Sequence, residues 1–352
     1  MKLRLDPCGG VDRVLLVQLR NLGDVLLCTP AVRALKQACP KARIDFLTGA
    51  AGADALRCNP HLDEVLVWSA ERGARWRMLR ELRRRSYDAV LDFQSHPRTY
   101  WIVWATGAPR RIGIRKRGPR NLAYTHLVPR VSAEVYQPRQ KLALLSPLGV
   151  AIDPTTADAC LEVAVGAAER ARAEEIFARH GLAGERPVVA VSAVSKLPVK
   201  QWGVERWAVV ADALADAGAR LLFTSGPGER AQAEAGARRM RNPAVWDYGP
   251  TTIPELAALY ERCVLWVGND GGALHVAAAA GIPTLSIIHH GMGPTWIDAS
   301  PGSPHCYLEG AGPTPDGRGG IDALAPAKVA GVALDALKTT QRPRVGPVAL
   351  GR

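Results

Sequence analysis

The stretch Leu265-Trp266-Val267-Gly268-Asn269-Asp270-Gly271-Gly272-Ala273-Leu274-His275 runs from an apolar strand through a glycine-rich turn into an alanine-rich helix. The first backbone N–H groups of a helix have no intrahelical partner, and Gly271 and Gly272 carry no Cβ to hold a ligand away. The turn can therefore take a diphosphate. His275, in the first turn of that helix, can donate to the same anion or to a sugar oxygen. An Asp-capped helix with a core histidine fits the same residues, and the segment alone leaves both readings open. Lys200-Gln201-Trp202, followed by Glu205, Arg206 and Trp207, stands after the strand Val188 to Val191 and a polar turn holding Ser192 and Ser195. An ammonium group at a strand exit can neutralise a departing diphosphate as a point charge, with Lys196 as a second cation. The alternative is a surface lysine beside a packed tryptophan. In Ser225-Gly226-Pro227-Gly228-Glu229, after the strand Leu221 to Phe223, the carboxylate can accept from ribose hydroxyls or can simply complement a helix dipole. All three segments leave the C-terminal ends of parallel strands in one domain, where open sheets place ligands.

A separate turn, Arg20-Asn21-Leu22-Gly23-Asp24-Val25, follows the first strand. It has one glycine and not G-x-G-x-x-G, which makes it a poor dinucleotide site. Asp24 is either an N-cap or a general base for an acceptor hydroxyl whose proton becomes acidic as the new bond forms. No Asp-x-Asp occurs, so the usual carboxylate pair that holds a metal against a nucleotide diphosphate is missing, and no metal is expected. His289-His290 is assigned to a loop near the cleft, because adjacent side chains need not converge on an ion.

These side chains are positioned by two successive series of short aliphatic runs alternating with helical patterns, the signature of parallel sheets covered by helices. The first series reads as strands Val14 to Leu19, Ala42 to Leu47, Glu64 to Trp68 and Ala89 to Phe93, with helices Val25 to Ala38 and one ending over Met78 to Arg85. The stretch Pro109 to Arg120 breaks the rhythm with Gly, Pro and Arg and reads as loops. A helix over Ala167 to His180 closes at Gly181, and the second series opens at Pro187. Its strands are expected over Arg220 to Thr224, Val264 to Val267 and Thr284 to Ile288. Its helices are expected over Trp207 to Ala217, Ile253 to Arg262, Leu274 to Ala280 and Ala327 to Leu337.

The 352 residues, 47% hydrophobic and 22% charged, suit two globular domains, and the net charge of +12 calls for an anionic partner without naming it. Arg72, Arg75, Arg77, Arg80, Arg83, Arg84 and Arg85 form one basic run. Arg110, Arg111, Arg115, Lys116, Arg117 and Arg120 form another beside Trp101 and Trp104, placed to meet an anionic acceptor or a membrane surface. Seven cysteines without C-x-x-C fit neither a disulfide framework nor a zinc site, so a reducing compartment is expected. The first apolar run is cut short by Gln18 and Arg20, too early for a signal peptide or spanning helix.

Taken in order, Leu22-Gly23-Asp24-Val25, Thr29-Pro30-Ala31-Val32-Arg33-Ala34-Leu35, Lys200-Gln201-Trp202, the Gly-Pro-Gly-Glu turn and Asn269-Asp270-Gly271-Gly272 to His275 make the chain resemble glycosyltransferase family nine. These are the ADP-heptose:lipopolysaccharide heptosyltransferases, and the likeness runs from Arg13 to Leu337. The resemblance implies an α/β protein of two Rossmann-like domains facing a cleft, the glycosyltransferase B-type fold. Residues 1–165 would bind the acceptor, 166–340 the nucleotide sugar, and 341–352 would be a loose tail. It implies inverting, metal-independent transfer from an ADP-sugar donor to an anionic glycolipid, with no cofactor. Asp24 would be the base, Lys200 the diphosphate contact, Glu229 the ribose contact and Asp270 a donor-sugar contact. Gly271, Gly272 and His275 would form the phosphate-binding helix start, with Ser192 and Ser195 nearby, and Arg20, Asn21, Arg115, Arg117 and Arg120 would meet the acceptor. The family often has Thr or Ser at the position of Gly271, and the serines before Lys200 are spaced differently here. A cytoplasmic location at the inner face of the inner membrane, held electrostatically and released by salt, goes with this reading. Rival readings are a relative using another nucleotide sugar or a protein acceptor, a nucleotide-sugar epimerase, and a nucleic-acid-binding protein. The last has only the charge in its favour, and no nucleic-acid partner is expected.

Overall fold

The computed structural model describes residues 9–132, 134–226, 228–312 and 320–341. Pro227, and the tail expected over 341–352 apart from Gln341, lie outside them. Contacts along the chain divide into two compact units. One runs to Glu169 and takes in Thr251–Ala257 and Pro294–Trp296; the other holds Arg170–Pro250, Ala258–Gly293 and the chain from Ile297.

In the first unit β1 (Arg13–Val17), β2 (Arg43–Thr48), β3 (Glu64–Val67), β4 (Ala89–Asp92), β5 (Arg110–Ile114) and β6 (His126–Val128) form a parallel sheet ordered β3-β2-β1-β4-β5-β6. Both faces are covered, which is why β1 is apolar at successive positions and does not alternate with polar residues. Val14 and Leu16 pack with Val32 and Leu35 of helix Thr29–Ala38 and with Leu142 and Leu145. Leu15 and Val17 pack on the other side with Leu82, Ile102 and Val103. With β1 between β2 and β4, the connections leaving β1 and β4 depart to opposite faces and open a crevice at the C-terminal edge.

Two expectations are corrected here. The helix expected over Val25 to Ala38 is two helices, Leu22–Leu26 and Thr29–Ala38. Pro30 has no N–H to donate to the Leu26 carbonyl, and the Thr29 hydroxyl takes its place at 2.7 Å. The loops expected over Pro109 to Arg120 contain β5 and a short helical turn, Pro119–Ala123. Gly113 there marks close packing, since a Cβ would sit 2.5 Å from the Tyr124 ring. The Arg111 guanidinium donates to the carbonyls of Ala108 and Ala123.

In the second unit β7 (Val188–Ser192), β8 (Arg220–Phe223), β9 (Leu265–Asn269), β10 (Thr284–Ile288) and β11 (His305–Glu309) form a parallel sheet ordered β11-β10-β9-β7-β8, with its switch point between β7 and β9. Trp207, Val210 and Leu214 of helix Val204–Asp216 and Val329, Ala333 and Leu337 of helix Pro326–Gln341 share one core with the sheet. The β11 strand, His-Cys-Tyr-Leu-Glu, is half-buried throughout and offers no apolar run to read. Among the cysteines, Cys39 is disulfide-bonded, against expectation; an odd count excludes complete pairing, not a single bond.

Gly268 lies on β9 opposite Ser192 of β7, and a Cβ there would stand 2.6 Å from the Ser192 carbonyl oxygen and 2.8 Å from the Trp266 ring. Gly268→Ala should therefore lower unfolding free energy by about 1–3 kcal/mol in urea denaturation. An unchanged midpoint would contradict this packing.

Candidate active site

The exits of β7 and β9 are tied by one buried amide. Asn269 is 2% exposed; its Nδ2 donates to the Ala193 carbonyl at 2.7 Å, and its Oδ1 accepts from Trp207 Nε1 at 3.0 Å and the Trp202 backbone at 3.3 Å. The Trp202 and Trp207 rings meet edge to face at 5.1 Å. Tryptophan packing thus fixes the chain between Ser192 and Trp202, including the short turn Pro198–Lys200.

Lys200 Nζ reaches Asp270 Oδ2 at 2.5 Å, with the carboxylate side chain only 7% exposed. Ser195 Oγ donates to the Asp270 carbonyl at 3.4 Å, and Gln201 Nε2 to the Ser195 carbonyl at 2.7 Å. Directly after Asp270, helix Gly272–Ala279 begins with Gly271 at its N-cap and no side-chain cap. Gly271 is extended, and a Cβ there would meet nothing closer than Ser195 Oγ at 3.8 Å. A serine or threonine would fit, and the glycine leaves the first N–H groups unshielded. Lysine, carboxylate, hydroxyl and helix start thus converge at the switch point of the second sheet, with Ser192 buried at the end of β7.

Glu229, His275 and the His289–His290 pair complete the residues expected here. Glu229 caps helix Arg230–Ala237 by position, but its carboxylate accepts from the Gly226 N–H at 2.8 Å, closing its own turn. His275 is buried, and its electrostatic neighbour is His305, whose imidazole burial holds below its usual range and whose Nδ1 lies 3.1 Å from Thr284 Oγ1. His289 and His290 diverge: His289 Nε2 is 2.9 Å from the Val199 carbonyl, which braces the turn carrying Lys200, while His290 faces Glu309 at 4.0 Å. Among the described residues no three metal-ligating side chains cluster.

In the first unit Asp24 stands in helix Leu22–Leu26, after the exit of β1. Asn21 holds φ 57°, uncommon outside glycine, and its Nδ2 donates to Asp24 Oδ2 at 2.8 Å. Arg20 and Asn21 are exposed, as are Arg115 and Arg117, while Arg120 is half-buried and donates to the Arg117 carbonyl at 3.3 Å.

Asp92, Gln94 and Lys141 of this crevice escaped the sequence reading, while Lys116 entered it only as part of a basic run. Asp92, fully buried at the end of β4, accepts from Tyr124 Oη at 2.7 Å and from the Ser95 and Gln94 amides at 2.8 and 3.0 Å. Burial pushes its carboxyl above the usual range against those hydrogen bonds. Gln94 Oε1 accepts from the Leu19 amide at 3.0 Å, joining the exits of β4 and β1. Lys141, 6% exposed, donates to the Phe93 carbonyl and lies 6.0 Å over the Phe93 ring. Burial holds Lys116 below its usual range, and the nearby cations Arg130, Lys141 and Arg120 add to the effect. The one signal available for Lys141 was its place directly before the apolar run Leu142-Ala143-Leu144-Leu145, which a solvated helix face explains equally well.

The model of glycosyltransferase family 9 (heptosyltransferase) matches residues 75–290. Lipopolysaccharide heptosyltransferase 3 of Escherichia coli (strain K12) is 28% identical over 284 residues, covering 76% of this chain and 80% of that protein. The crystal structure of a family 9 glycosyl transferase from Veillonella parvula superposes with a TM-score of 0.80 at 23% identity, covering 93% of this chain and 97% of that one. An E. coli heptosyltransferase solved with ADP gives a TM-score of 0.67 at 20% identity over 93% and 99% of the two chains.

Close packing beside Asp24 has a chemical signature. Burial, joined by the charges of Asp24 and Asp92 and opposed by Lys141, pushes the Cys28 thiol up to about 12, so at neutral pH it stays protonated. In native protein an alkylating reagent should modify exposed Cys58 and spare Cys28, as read by peptide mass spectrometry. Equal labelling of the two would contradict the packing around helix Leu22–Leu26.

Proposed function

We propose that this chain, which belongs to glycosyltransferase family 9, the heptosyltransferases, and is a glycosyltransferase of the B-type fold, moves heptose from ADP-heptose to a sugar of the lipopolysaccharide core. The donor reading is supported by the E. coli heptosyltransferase solved with ADP, and the acceptor reading by the lipopolysaccharide heptosyltransferase 3 relative. The observation that carries it is the Lys200–Asp270 pair beside the uncapped helix start at Gly271, at a sheet switch point.

In this scheme the diphosphate lies at the backbone of Gly271 and Gly272, Lys200 supplies positive charge to it, and Asp270 accepts from a sugar hydroxyl. The acceptor oxygen forms a bond to the anomeric carbon as the bond to the ADP oxygen breaks, inverting that centre. Its proton passes to Asp24, held by Asn21. Charge developing on departing ADP is met by Lys200 and the helix start, so the scheme calls for no metal and no cofactor. The acceptor is an anionic glycolipid presented at the cytoplasmic face of the inner membrane, near Arg20, Arg115, Arg117 and Arg120, with Lys116 and Lys141 adding to the positive field.

Lys200→Met should lower kcat/KM by roughly 10²–10³-fold, with a lower melting temperature because the buried Asp270 carboxylate loses its partner, and Asp24→Asn should lower it by roughly 10²–10⁴-fold with unchanged melting. Mass spectrometry of reactions offered ADP-, UDP- and GDP-sugars should show a heptosyl adduct from ADP-heptose alone. Full turnover by Asp24→Asn would remove the assigned base, and transfer from another nucleotide would change the donor.

A further inference from the structure

One face of the first sheet is covered by helix Arg72–Arg84, helix Thr99–Thr106 and the turn Pro119–Ala123. Their inward residues, Leu82, Ile102, Val103 and Ala123, are buried against Leu15 and Val17. Their outward residues include Trp76, Trp101 and Trp104 at 66%, 59% and 60% exposure and Leu122 at 83%. A tryptophan left mostly in water forgoes the largest apolar burial any side chain provides, and three on one layer are not needed to hold this core.

These residues are brought together by the packing. Helix Thr99–Thr106 packs beside both helix Arg72–Arg84 and the turn Pro119–Ala123. Arg83 lies over Gly107, where a Cβ would be 1.6 Å from its Nη1. Both helices follow parallel strands and run back along the sheet in the same direction. Counting back seven residues from Arg83 and from Gly107 sets Trp76 near the level of Tyr100, next to Trp101. The Trp101 and Trp104 rings meet edge to face at 6.2 Å, and Trp101 touches Tyr100 at 4.9 Å. The aromatic end of the layer therefore lies toward the C-terminal edge of the sheet, the edge at which Asp24 follows β1.

Around this patch, Arg72, Arg77 and Arg80 are exposed and make no ion pair among the described residues. Exposed tryptophan set among unpaired arginine is the composition of a surface that seats in the headgroup region of an anionic bilayer. The same positive charge opposes pairing with a second copy of this chain.

We propose that this layer is a membrane-docking face whose Trp76, Trp101, Trp104 and Leu122 enter the interfacial region of an anionic phospholipid bilayer while the arginines bind its headgroups. It deepens the reading of a lipid-borne acceptor and rests on it for its use. Unlike the purely electrostatic attachment expected from the sequence, such docking keeps an apolar component when salt screens the charges. No helix among the described residues is long and apolar enough to cross a membrane.

The test is flotation of the full chain with vesicles of phosphatidylcholine carrying about one-third phosphatidylglycerol, at low and high salt. Wild type should lose only part of its binding at high salt, and Trp101→Ser with Trp104→Ser should weaken binding at both salts by about tenfold per tryptophan. Both proteins should transfer heptose equally to a water-soluble truncated acceptor, while the variant is slower on vesicle-borne acceptor. Complete release of wild type by salt, or unchanged flotation of the variant with an unchanged melt, would overturn the proposal. A wild type that floats as described but transfers nothing to the soluble acceptor would instead overturn the enzymatic reading.

Discussion

The Asn269 side chain is the constraint on which the second unit's site depends. Parallel strands need only backbone pairing to align, so nothing in the β7–β9 ladder dictates where the chain goes after Ser192 and Asn269. The Asn269 amide supplies that information through three partners: the Ala193 carbonyl, the Trp207 indole and the Trp202 amide. With water excluded, each bond is costly to leave unmade, and the Trp202–Trp207 contact keeps it dry. Lys200 and Asp270 flank this knot, and their contact follows from it.

The first unit solves the corresponding problem with an amide and buried ionisable groups together. Its exits are joined by Gln94 to Leu19 and organised around buried Asp92, with the Lys141 ammonium housed against a backbone carbonyl. Ionisable groups of both signs buried within one crevice are expensive to fold around unless hydrogen-bonded, as Asp92 and Lys141 are. Asn21, in a backbone conformation that few side chains adopt, turns the chain so that its own amide steadies Asp24. The two units thus share one strand-and-helix plan and differ in what lies at the switch point.

How far these features could be read from the sequence depended on how local they are. Asn269 to Gly272 was legible because a strand, a turn and a helix start are consecutive there, and Lys200 because it leaves a strand and two tryptophans follow it. The roles of Asn269 and Lys141 were not, since their partners are 76 and 48 residues away in the chain. Glu229 has the right type in the right turn, yet it bonds to its own Gly226, a competition within four residues that spacing cannot resolve. The broken helix at Leu26–Thr29 was visible as Pro30, but a hydroxyl replacing a missing N–H is a detail of geometry. Trp101 and Trp104 are apolar by type, and only tertiary packing distinguishes Ile102 and Val103, which go inward, from the rings that do not.

A nucleoside diphosphate gripped as proposed, at the switch point of the second sheet, would touch the backbone at Gly271–Gly272 and Lys200. The most direct measurement is an ADP titration of protein carrying ¹⁵N-glycine, with amide shifts followed for wild type and Lys200→Met. Gly271 and Gly272 should move most, in a saturable way, and the lysine variant should need much more ADP for the same displacement. Shifts confined to glycines of the first unit such as Gly23, or curves identical in the two proteins, would contradict this grip.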